Sequence, residues 1–319
     1  MTQSVVSDQP LLVIAGPTGS GKSDLALALA RRFSGEIVNY DSVQLYRGLD
    51  IGSAKIPRDQ RRDVPHHLLD VIGPGEELSA GAYARIAREA IDCIHRRGRL
   101  PILAGGTGFY LRALLDGLSP APSRDTKLRN RLQAAAVRRP ALLHRVLRRF
   151  DPIAATRVHP NDMPKLIRAI EIIFLSGQSA TDIQSAPRQP FEGVRPLKLG
   201  LMPERKLLYS YLNQRTERLF RNGLIEETRR LIDSGYAPDS KALRSVGYKQ
   251  AVQIILGNLS VEAAIAECQT KTRQYAKRQI TWFRSEPDLN WLSGFGSEDQ
   301  VRQVALERSS AFLSRIRMS

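Results

Sequence analysis

A glycine-rich segment near the N-terminus constrains the fold of this chain more than any other feature. Residues 16–23 read Gly-Pro-Thr-Gly-Ser-Gly-Lys-Ser and match the pattern G-x-x-x-x-G-K-[ST] at every position. The apolar run at residues 11–15 precedes this segment, as expected for a buried parallel strand, and a stretch with helical spacing follows it. Strand, glycine loop and helix in this order predict an α/β protein with a parallel sheet.

Further apolar runs extend this pattern along the chain. Residues 36–40 predict a second strand, and residues 100–104 predict another, which ends at a Gly-Gly-Thr-Gly turn. The other elements predicted for the α/β region are helices at residues 80–97 and 109–115 and a strand at residues 197–201. We therefore predict an α/β fold in which helices flank a P-loop-type parallel sheet.

The middle of the chain has a different character and predicts an inserted helical domain. The whole chain has 48 Lys and Arg against 32 Asp and Glu, a net charge of +16, and the excess is dense between Arg124 and Arg168. Such an excess favours a polyanionic partner, although any single arginine could equally lie on a solvated helix face. We predict a helical, nucleic-acid-binding insertion at residues 120–195. Residues 1–119 and 196–319 would form the P-loop core with a C-terminal helical region.

The cysteines and the apolar segments bound the environment of the protein. Cys93 and Cys268 are the only cysteines, and their positions argue against a disulfide framework and against structural zinc. Residues 1–10 lack a basic segment followed by an apolar one, so no secretory signal is expected. No apolar run approaches the roughly 18 residues that a membrane span needs. We expect a cytoplasmic protein with no membrane partner.

The glycine-rich loop predicts a binding site for a di- or triphosphate. Its backbone N–H groups can wrap a phosphate, Lys22 adds a full positive charge, and Ser23 is placed to contact Mg²⁺ directly or through water. The residues assigned to diphosphate binding are Gly16, Pro17, Thr18, Gly19, Ser20, Gly21, Lys22 and Ser23.

The position of the acids indicates what happens to that phosphate. A P-loop hydrolase needs a strand that ends in an aspartate to hold its metal, but the strand at residues 100–104 is followed by Gly105 and Gly106 and has no carboxylate there. The diphosphate could then be a leaving group. Asp41 follows the second strand, where open α/β sheets bind ligands, and could act as a general base. It could instead cap a helix or hold Mg²⁺ through water, and Gln44 could bind the edge of an adenine.

Several segments together resemble the tRNA dimethylallyltransferase family. The similarity runs from about residue 11 to residue 291, and its motifs occur in order and at compatible spacing. The segments that carry it are residues 16–23, 41–48 (Asp-Ser-Val-Gln-Leu-Tyr-Arg-Gly), 50–55, 64–68, 105–110, 244–249 (Arg-Ser-Val-Gly-Tyr-Lys) and 272–284.

The resemblance implies a reaction and roles for individual residues. A dimethylallyl group would move from dimethylallyl diphosphate to N6 of the adenosine 3′-adjacent to the anticodon of a tRNA, with Mg²⁺ as cofactor. Asp41 would be the general base, and Thr18 would hydrogen-bond the bridging oxygen of the leaving diphosphate, so these two are the expected catalytic residues. Lys22 and Ser23 would hold its charge and its metal. The expected tRNA-binding residues are Asp41, Ser42, Val43, Gln44, Thr107, Arg129, Lys165, Arg168, Arg244, Ser245, Val246, Gly247, Tyr248 and Lys249.

One part of the chain departs from the family pattern. A frequent Gln-Arg-x-x-Arg segment that contacts tRNA reads Pro-Lys-Leu-Ile-Arg at residues 164–168. Lysine keeps the charge of the arginine that it replaces but lacks the planar fork that pairs with phosphate.

Two other functions remain open at this stage. A free-nucleotide (adenylate) isopentenyltransferase would use a similar phosphate loop, but it would not need the basic insertion. A nucleic-acid-binding P-loop ATPase would need an acid after residue 103, where the chain has glycine. We expect the enzyme to act as a monomer on the anticodon stem-loop.

Overall fold

A computed structural model describes residues 8–61, 63–139 and 141–318 of the chain. Residues 1–7, on which part of the expectation of no secretory signal rests, lie outside the described residues. The chain divides into two compact units. The first comprises Met1–Leu114 and Phe191–Ser319 and is called the sheet unit, and the second comprises Leu115–Pro190 and is called the helical unit.

The predicted parallel sheet is confirmed. Within the described residues its strands are β1 (Gln9–Ala15), β2 (Gly35–Asn39), β3 (His66–His67), β4 (Leu100–Ala104), β5 (Val194–Met202) and β6 (Leu289–Ser293). They lie in the order β3-β2-β4-β1-β5-β6, and all neighbouring strands are parallel. The four central strands match the predicted runs to within a few residues. The edge strands β3 and β6 were not predicted, because β3 has two residues and β6 buries only Leu292.

Helices complete the sheet unit. Three of them follow or precede the central strands, namely α1 (Lys22–Phe33), α2 (Ala80–Arg96) and α3 (Gly108–Leu115). The C-terminal part adds α9 (Arg205–Arg221), α10 (Leu224–Asp233), α11 (Tyr248–Ile255), α12 (Val261–Arg284) and α13 (Asp299–Met318). The apolar face of α1, with Leu25 and Leu29, packs in one core with Leu12 and Ile14 of β1, which explains why this segment folds as a βα unit.

The helical unit has a hydrophobic core of its own. Its helices are α4 (Thr126–Arg138), α5 (Leu142–Phe150), α6 (Pro152–Arg157), α7 (Met163–Ser176) and α8 (Ala180–Ser185). Leucines and isoleucines from these helices form one buried cluster. The three acids of the basic stretch all cap helices: Asp125, Asp151 and Asp162 accept hydrogen bonds from the first turns of α4, α6 and α7.

No membrane-spanning helix is found in the part of the chain that the structure describes. None of its helices is both long and apolar enough to cross a bilayer.

Candidate active site

The order of the strands determines which loops meet. Strand β4 lies between β1, which leads into the phosphate loop, and β2, which leads to Asp41. The residues that follow β4 are Gly105 and Gly106, and a Cβ atom on Gly105 would lie 2.6 Å from the carbonyl carbon of Tyr40. Because these glycines have no side chains, the phosphate loop and Asp41 can approach one another across the end of β4.

A cavity of about 280 Å³ lies at this place within the sheet unit. One wall comes from the loops after β1 and β2, and the other comes from α9, α12 and the segment before α11. The residues that line the cavity are Thr18, Asp41, Ser42, Val43, Gly52, Ser53, Leu212, Arg215, Thr216, Leu219, Arg244, Ser245, Val246, Cys268, Thr272 and Tyr275.

The phosphate loop adopts a conformation that its glycines make possible. Gly19 and Gly21 have φ angles of 76° and 82°, in the left-handed region that favours glycine. A Cβ atom on Gly19 would also lie 2.6 Å from the Leu212 side chain. Lys22 turns back and donates to the carbonyl of Pro17 at 2.8 Å. The buried hydroxyl of Ser20 has no hydrogen-bond partner among the described residues.

Asp41 is held in a turn that leaves part of its carboxylate available. Its Oδ1 accepts a hydrogen bond from the backbone N–H of Val43 at 2.9 Å, and its own N–H donates to Asn39. The helix-capping role considered from the sequence is not seen, because a turn and no helix follows Asp41. The second oxygen, Oδ2, lies 3.8 Å from the position of a Cβ on Gly106, and the carboxylate lines the cavity.

Two cations share this cavity region with Asp41. Burial lowers the pKa of the Lys22 ammonium to about 8, Asp41 opposes this shift, and Arg215 adds to it. Burial also lowers the pKa of Arg215, while Tyr211 and Asp41 counteract the effect. Within residues 8–61, 63–139 and 141–318, no salt bridge joins Lys22 or Arg215 to Asp41. The arrangement concentrates positive charge in a partly desolvated space and is suited to an anionic ligand.

The loop after β2 is tied to the loop after β4. The N–H of Ser42 donates to the Thr107 hydroxyl at 3.0 Å, and that hydroxyl donates to Ser42 Oγ at 3.2 Å. Gln44 donates its amide to the carbonyl of Ser53 at 3.2 Å, so this contact occupies one of the amide hydrogens that could bind a base.

Residues 244–249 divide between the cavity and the core. Arg244, Ser245 and Val246 line the cavity, and Lys249 is exposed. Gly247 has a φ angle of 95° and is the N-cap of α11. Tyr248 is fully buried and donates its hydroxyl to Glu227 at 2.5 Å. Because the Tyr248 side chain is buried in the core, it helps to hold the packing of this region and is not accessible to an RNA.

The candidates in the helical unit are ion-paired. Glu171 is buried, and its Oε2 accepts from Arg129 at 3.0 Å and from Arg168 at 2.6 Å. Lys165 is exposed and pairs with Asp162 at 2.7 Å. The first two arginines therefore have a structural partner, which the charge pattern of the sequence does not indicate.

Three side chains at or beside the cavity were not singled out from the sequence. Arg215 and Tyr275 line it, and Gln279 of α12 bonds to the phosphate loop. Gln279 and Tyr275 lie inside the segment at residues 272–284 that carries the family resemblance. Arg215 lies on a helix with many other charged residues, so no local signal distinguishes it.

The oxygen donors near the loop fit a Mg²⁺ ion that arrives with a diphosphate. Mg²⁺ keeps several waters and is typically held by one or two protein oxygens together with substrate phosphates. Ser23 lies in the first turn of α1, and the Asp41 carboxylate lines the same cavity as Thr18 of the loop. Among the described residues there is no group of three or more His, Cys, Asp or Glu that could hold an ion without such help.

Comparisons with protein families and sequences agree with one another. A family model described as IPP transferase matches residues 44–286, and one described as isopentenyl transferase matches residues 9–64. A tRNA dimethylallyltransferase of Solibacter usitatus is 53% identical over 96% of this chain and 100% of its own length. A tRNA dimethylallyltransferase of Koribacter versatilis is 49% identical over 95% of this chain and 98% of its own length.

Solved structures show the same similarity. The full-length tRNA isopentenylpyrophosphate transferase of Bacillus halodurans is 35% identical and matches with a TM-score of 0.73, over 98% of this chain and 99% of its own. A eukaryotic dimethylallyltransferase acting on tRNA is 28% identical and matches with a TM-score of 0.83, over 97% of this chain and 80% of its own.

Proposed function

The chain belongs to the IPP transferase family, and from that membership we propose that it transfers a dimethylallyl group from dimethylallyl diphosphate to a tRNA. The acceptor is the exocyclic N6 of the adenosine 3′-adjacent to the anticodon. One observation supports this reaction above all: a phosphate loop and the carboxylate of Asp41 line one cavity together with Arg215. A bond forms between N6 and C1 of the dimethylallyl group, the C1–O bond breaks, and diphosphate leaves.

The phosphate loop serves the leaving group. An allylic carbon ionises readily once the negative charge on its diphosphate is stabilised, so the largest task of the protein is electrostatic. Lys22 and Arg215 supply positive charge in a partly desolvated space, and the N-terminus of α1 adds its dipole. The Thr18 side chain faces the cavity and is assigned to the bridging oxygen.

Asp41 serves the acceptor. An aromatic amine is a weak nucleophile, and removal of its proton during attack makes it more reactive. The Asp41 carboxylate uses one oxygen for the turn with Val43 and presents the other toward the reacting groups, where it takes the N6 proton. Ser42 and Gln44 belong to the same loop and are assigned to the adenosine.

Mg²⁺ is the proposed cofactor, and Ser23 is the residue that would hold it. When bound, the ion neutralises part of the charge on the diphosphate. The remaining negative charge of the diphosphate is stabilised by the protein, which explains why Lys22 and Arg215 both lie near the phosphate loop.

The basic surface serves the tRNA. A base that is stacked in the anticodon loop cannot reach an enclosed cavity, so the target adenosine has to leave its stack, and the remaining RNA needs a separate binding surface. Within the helical unit we assign tRNA contacts to exposed Lys165 on α7, and within the sheet unit to exposed Arg244 and Lys249. These contacts, the preference for the anticodon stem-loop and the monomeric state are part of the proposal.

The two alternatives are less compatible with the molecule. The relatives are tRNA enzymes and match this chain along nearly its whole length, the basic helical unit included. An ATPase would need an acid after β4, but Gly105 and Gly106 occupy that place and bring the loops together.

A labelling experiment tests the proposal. Purified protein is incubated with Mg²⁺ and dimethylallyl diphosphate labelled in the prenyl group, together with unmodified tRNA, AMP or ATP. We expect label in the tRNA and none in the free nucleotides. Label in AMP but not in tRNA would establish the free-nucleotide activity instead, and ATP hydrolysis stimulated by RNA without prenyl transfer would establish the ATPase.

A further inference from the structure

The phosphate loop and Asp41 are not adjacent in the sheet, and this separation poses a structural problem. Strand β4 lies between the strands that carry them. Transfer requires the leaving group and the acceptor to be aligned on opposite sides of one carbon atom, and an error of about 1 Å can cost roughly 10²-fold in rate. Some group therefore has to fix the distance between the two loops.

One buried amide joins the loops. Gln279 is 4% exposed, and its Oε1 accepts from the N–H of Thr18 at 2.7 Å while its Nε2 donates to the carbonyl of Gly106 at 2.8 Å. Both bonds use main-chain groups of the two loops. A glutamine offers an acceptor and a donor on one planar group, so a single residue can satisfy both.

The connection continues to the base. Gly106 is followed by Thr107, whose hydroxyl accepts from the N–H of Ser42 at 3.0 Å, and Ser42 follows Asp41. A continuous series of bonds therefore runs from the loop that holds the diphosphate to the turn that holds the general base. Gln279 is its first link and belongs to neither loop.

The packing around Gly106 shows how closely this link is fitted. A Cβ atom on Gly106 would lie 2.3 Å from Gln279 Nε2 and 3.8 Å from Asp41 Oδ2. The amide nitrogen of Gln279 therefore occupies the space beside Gly106 that a side chain would otherwise fill, close to the carboxylate of Asp41.

From these contacts we infer that Gln279 is a positioning residue, which sets the distance between the phosphate loop and Asp41 and so controls the rate of prenyl transfer. It touches neither substrate in this role. The inference rests on the proposed function, because the rate in question is that of prenyl transfer to tRNA.

The first test replaces Gln279 by methionine, which keeps its length and removes both bonds. We expect kcat to fall by roughly 10²-fold, with the KM for dimethylallyl diphosphate and the Kd for tRNA each changing less than about threefold. Gln279→Glu keeps the acceptor for Thr18 and loses the donor to Gly106, and we expect an intermediate kcat. Equal losses of kcat in the two variants would contradict the two-bond link.

The matched control is Gln269→Met on the same helix. Gln269 donates to the carbonyl of Asn213 and to Glu217 of α9 and has no bond to either loop. We expect kcat within about twofold of the unaltered protein. Similar losses of kcat in Gln269→Met and Gln279→Met would show that any lost amide of α12 has this effect, and would overturn the inference.

A second variant decides the matter if Gln279→Met does not fold. Gly106→Ala keeps the Gln279 amide but forces it to move, and the φ angle of Gly106 lies outside the left-handed region, so the backbone conformation there is compatible with alanine. We expect the same loss of kcat with an unchanged Kd for tRNA. An unaltered kcat in Gly106→Ala would overturn the inference, whereas absence of transfer by the unaltered protein would overturn the proposed function itself.

Discussion

Both units of this protein place a carboxylate near two cations, and the two arrangements differ in how far the charges satisfy one another. In the helical unit, buried Glu171 forms ion pairs with Arg129 and Arg168 at 3.0 and 2.6 Å. In the sheet unit, Asp41 lies near Lys22 and Arg215, and no salt bridge joins them within the described residues. The first arrangement stabilises a fold, and the second leaves charge for a ligand.

The pKa values follow the same division. Burial alone would raise the pKa of Glu171, but the hydrogen bond from Arg168, the N–H of Asp125 and the charges of both arginines lower it overall. Burial lowers the pKa of Lys22 to about 8, and the charge of Asp41 opposes this shift only in part. Burial makes the charged form of such a cation costly when no anion is bound. The charged form is therefore stabilised most when an anionic ligand binds. Pairing, more than charge content, therefore separates a structural cluster from one that can bind a ligand.

The largest effect is expected at the carboxylate of the sheet unit. Asp41→Asn keeps an oxygen for the turn with Val43 but cannot accept the N6 proton, so kcat should fall by ~10²–10⁴-fold. The Kd for tRNA should change little. Single-turnover transfer and a filter-binding assay measure the two quantities, and an equal loss in both would assign Asp41 to binding.

Arg215 should give the next largest effect. Arg215→Ala removes a cation from the diphosphate side of the cavity, and kcat/KM for dimethylallyl diphosphate should fall by ~10²–10³-fold. Arg218→Ala is the control, since Arg218 is exposed, lies one turn further along α9 and does not line the cavity. Comparable losses in the two variants would refute a specific role for Arg215.

A change in the helical unit should act on stability instead. Glu171→Gln weakens the pairs with Arg129 and Arg168 and should lower the free energy of unfolding of that unit by about 1.5–3 kcal/mol. Prenyl transfer at saturating tRNA and low temperature should stay near its original rate. Chemical denaturation and steady-state kinetics test the two statements, and loss of transfer without loss of stability would break the comparison.

The smallest effect concerns pH. Lys22 is charged below a pH of about 8 and neutral above it in the free protein, and the diphosphate favours the charged form. The kcat/KM for dimethylallyl diphosphate should therefore decline as pH rises through 8, by at most about tenfold per pH unit. Lys22→Arg stays charged and should lose this decline, although its activity is lower. The same pH profile in both proteins would assign the titration to another group.

Local sequence patterns predicted the parts of the molecule that depend on neighbours in the chain. The central strands, the phosphate loop and the position of Asp41 follow from apolar runs and from glycines that are close in sequence. The comparisons also confirm the predicted family and favour the tRNA transferase over the two alternatives. The roles of individual tRNA-binding residues stay predictions.

Other parts could not be predicted, because their partners are far apart along the chain. Thr18 and Gln279 are 261 positions apart, and Arg129 and Glu171 are 42 apart. A charge count identifies Arg129 and Arg168 as candidates for RNA and gives no indication that one glutamate holds both. Tyr248 belongs to a motif of the family, but only the packing of α10 and α11 shows that it is buried.

Local patterns in the amino-acid sequence specify a parallel sheet with a phosphate loop and place Asp41 just after the second strand. Backbone hydrogen bonding and apolar periodicity are local, so a pattern of about twenty residues is sufficient to encode them. The tertiary structure decided which charges are paired and which face the cavity, and it placed Gln279 between the two loops. Burial and electrostatic interaction depend on distances in space, and those exist only once the strands and helices have packed.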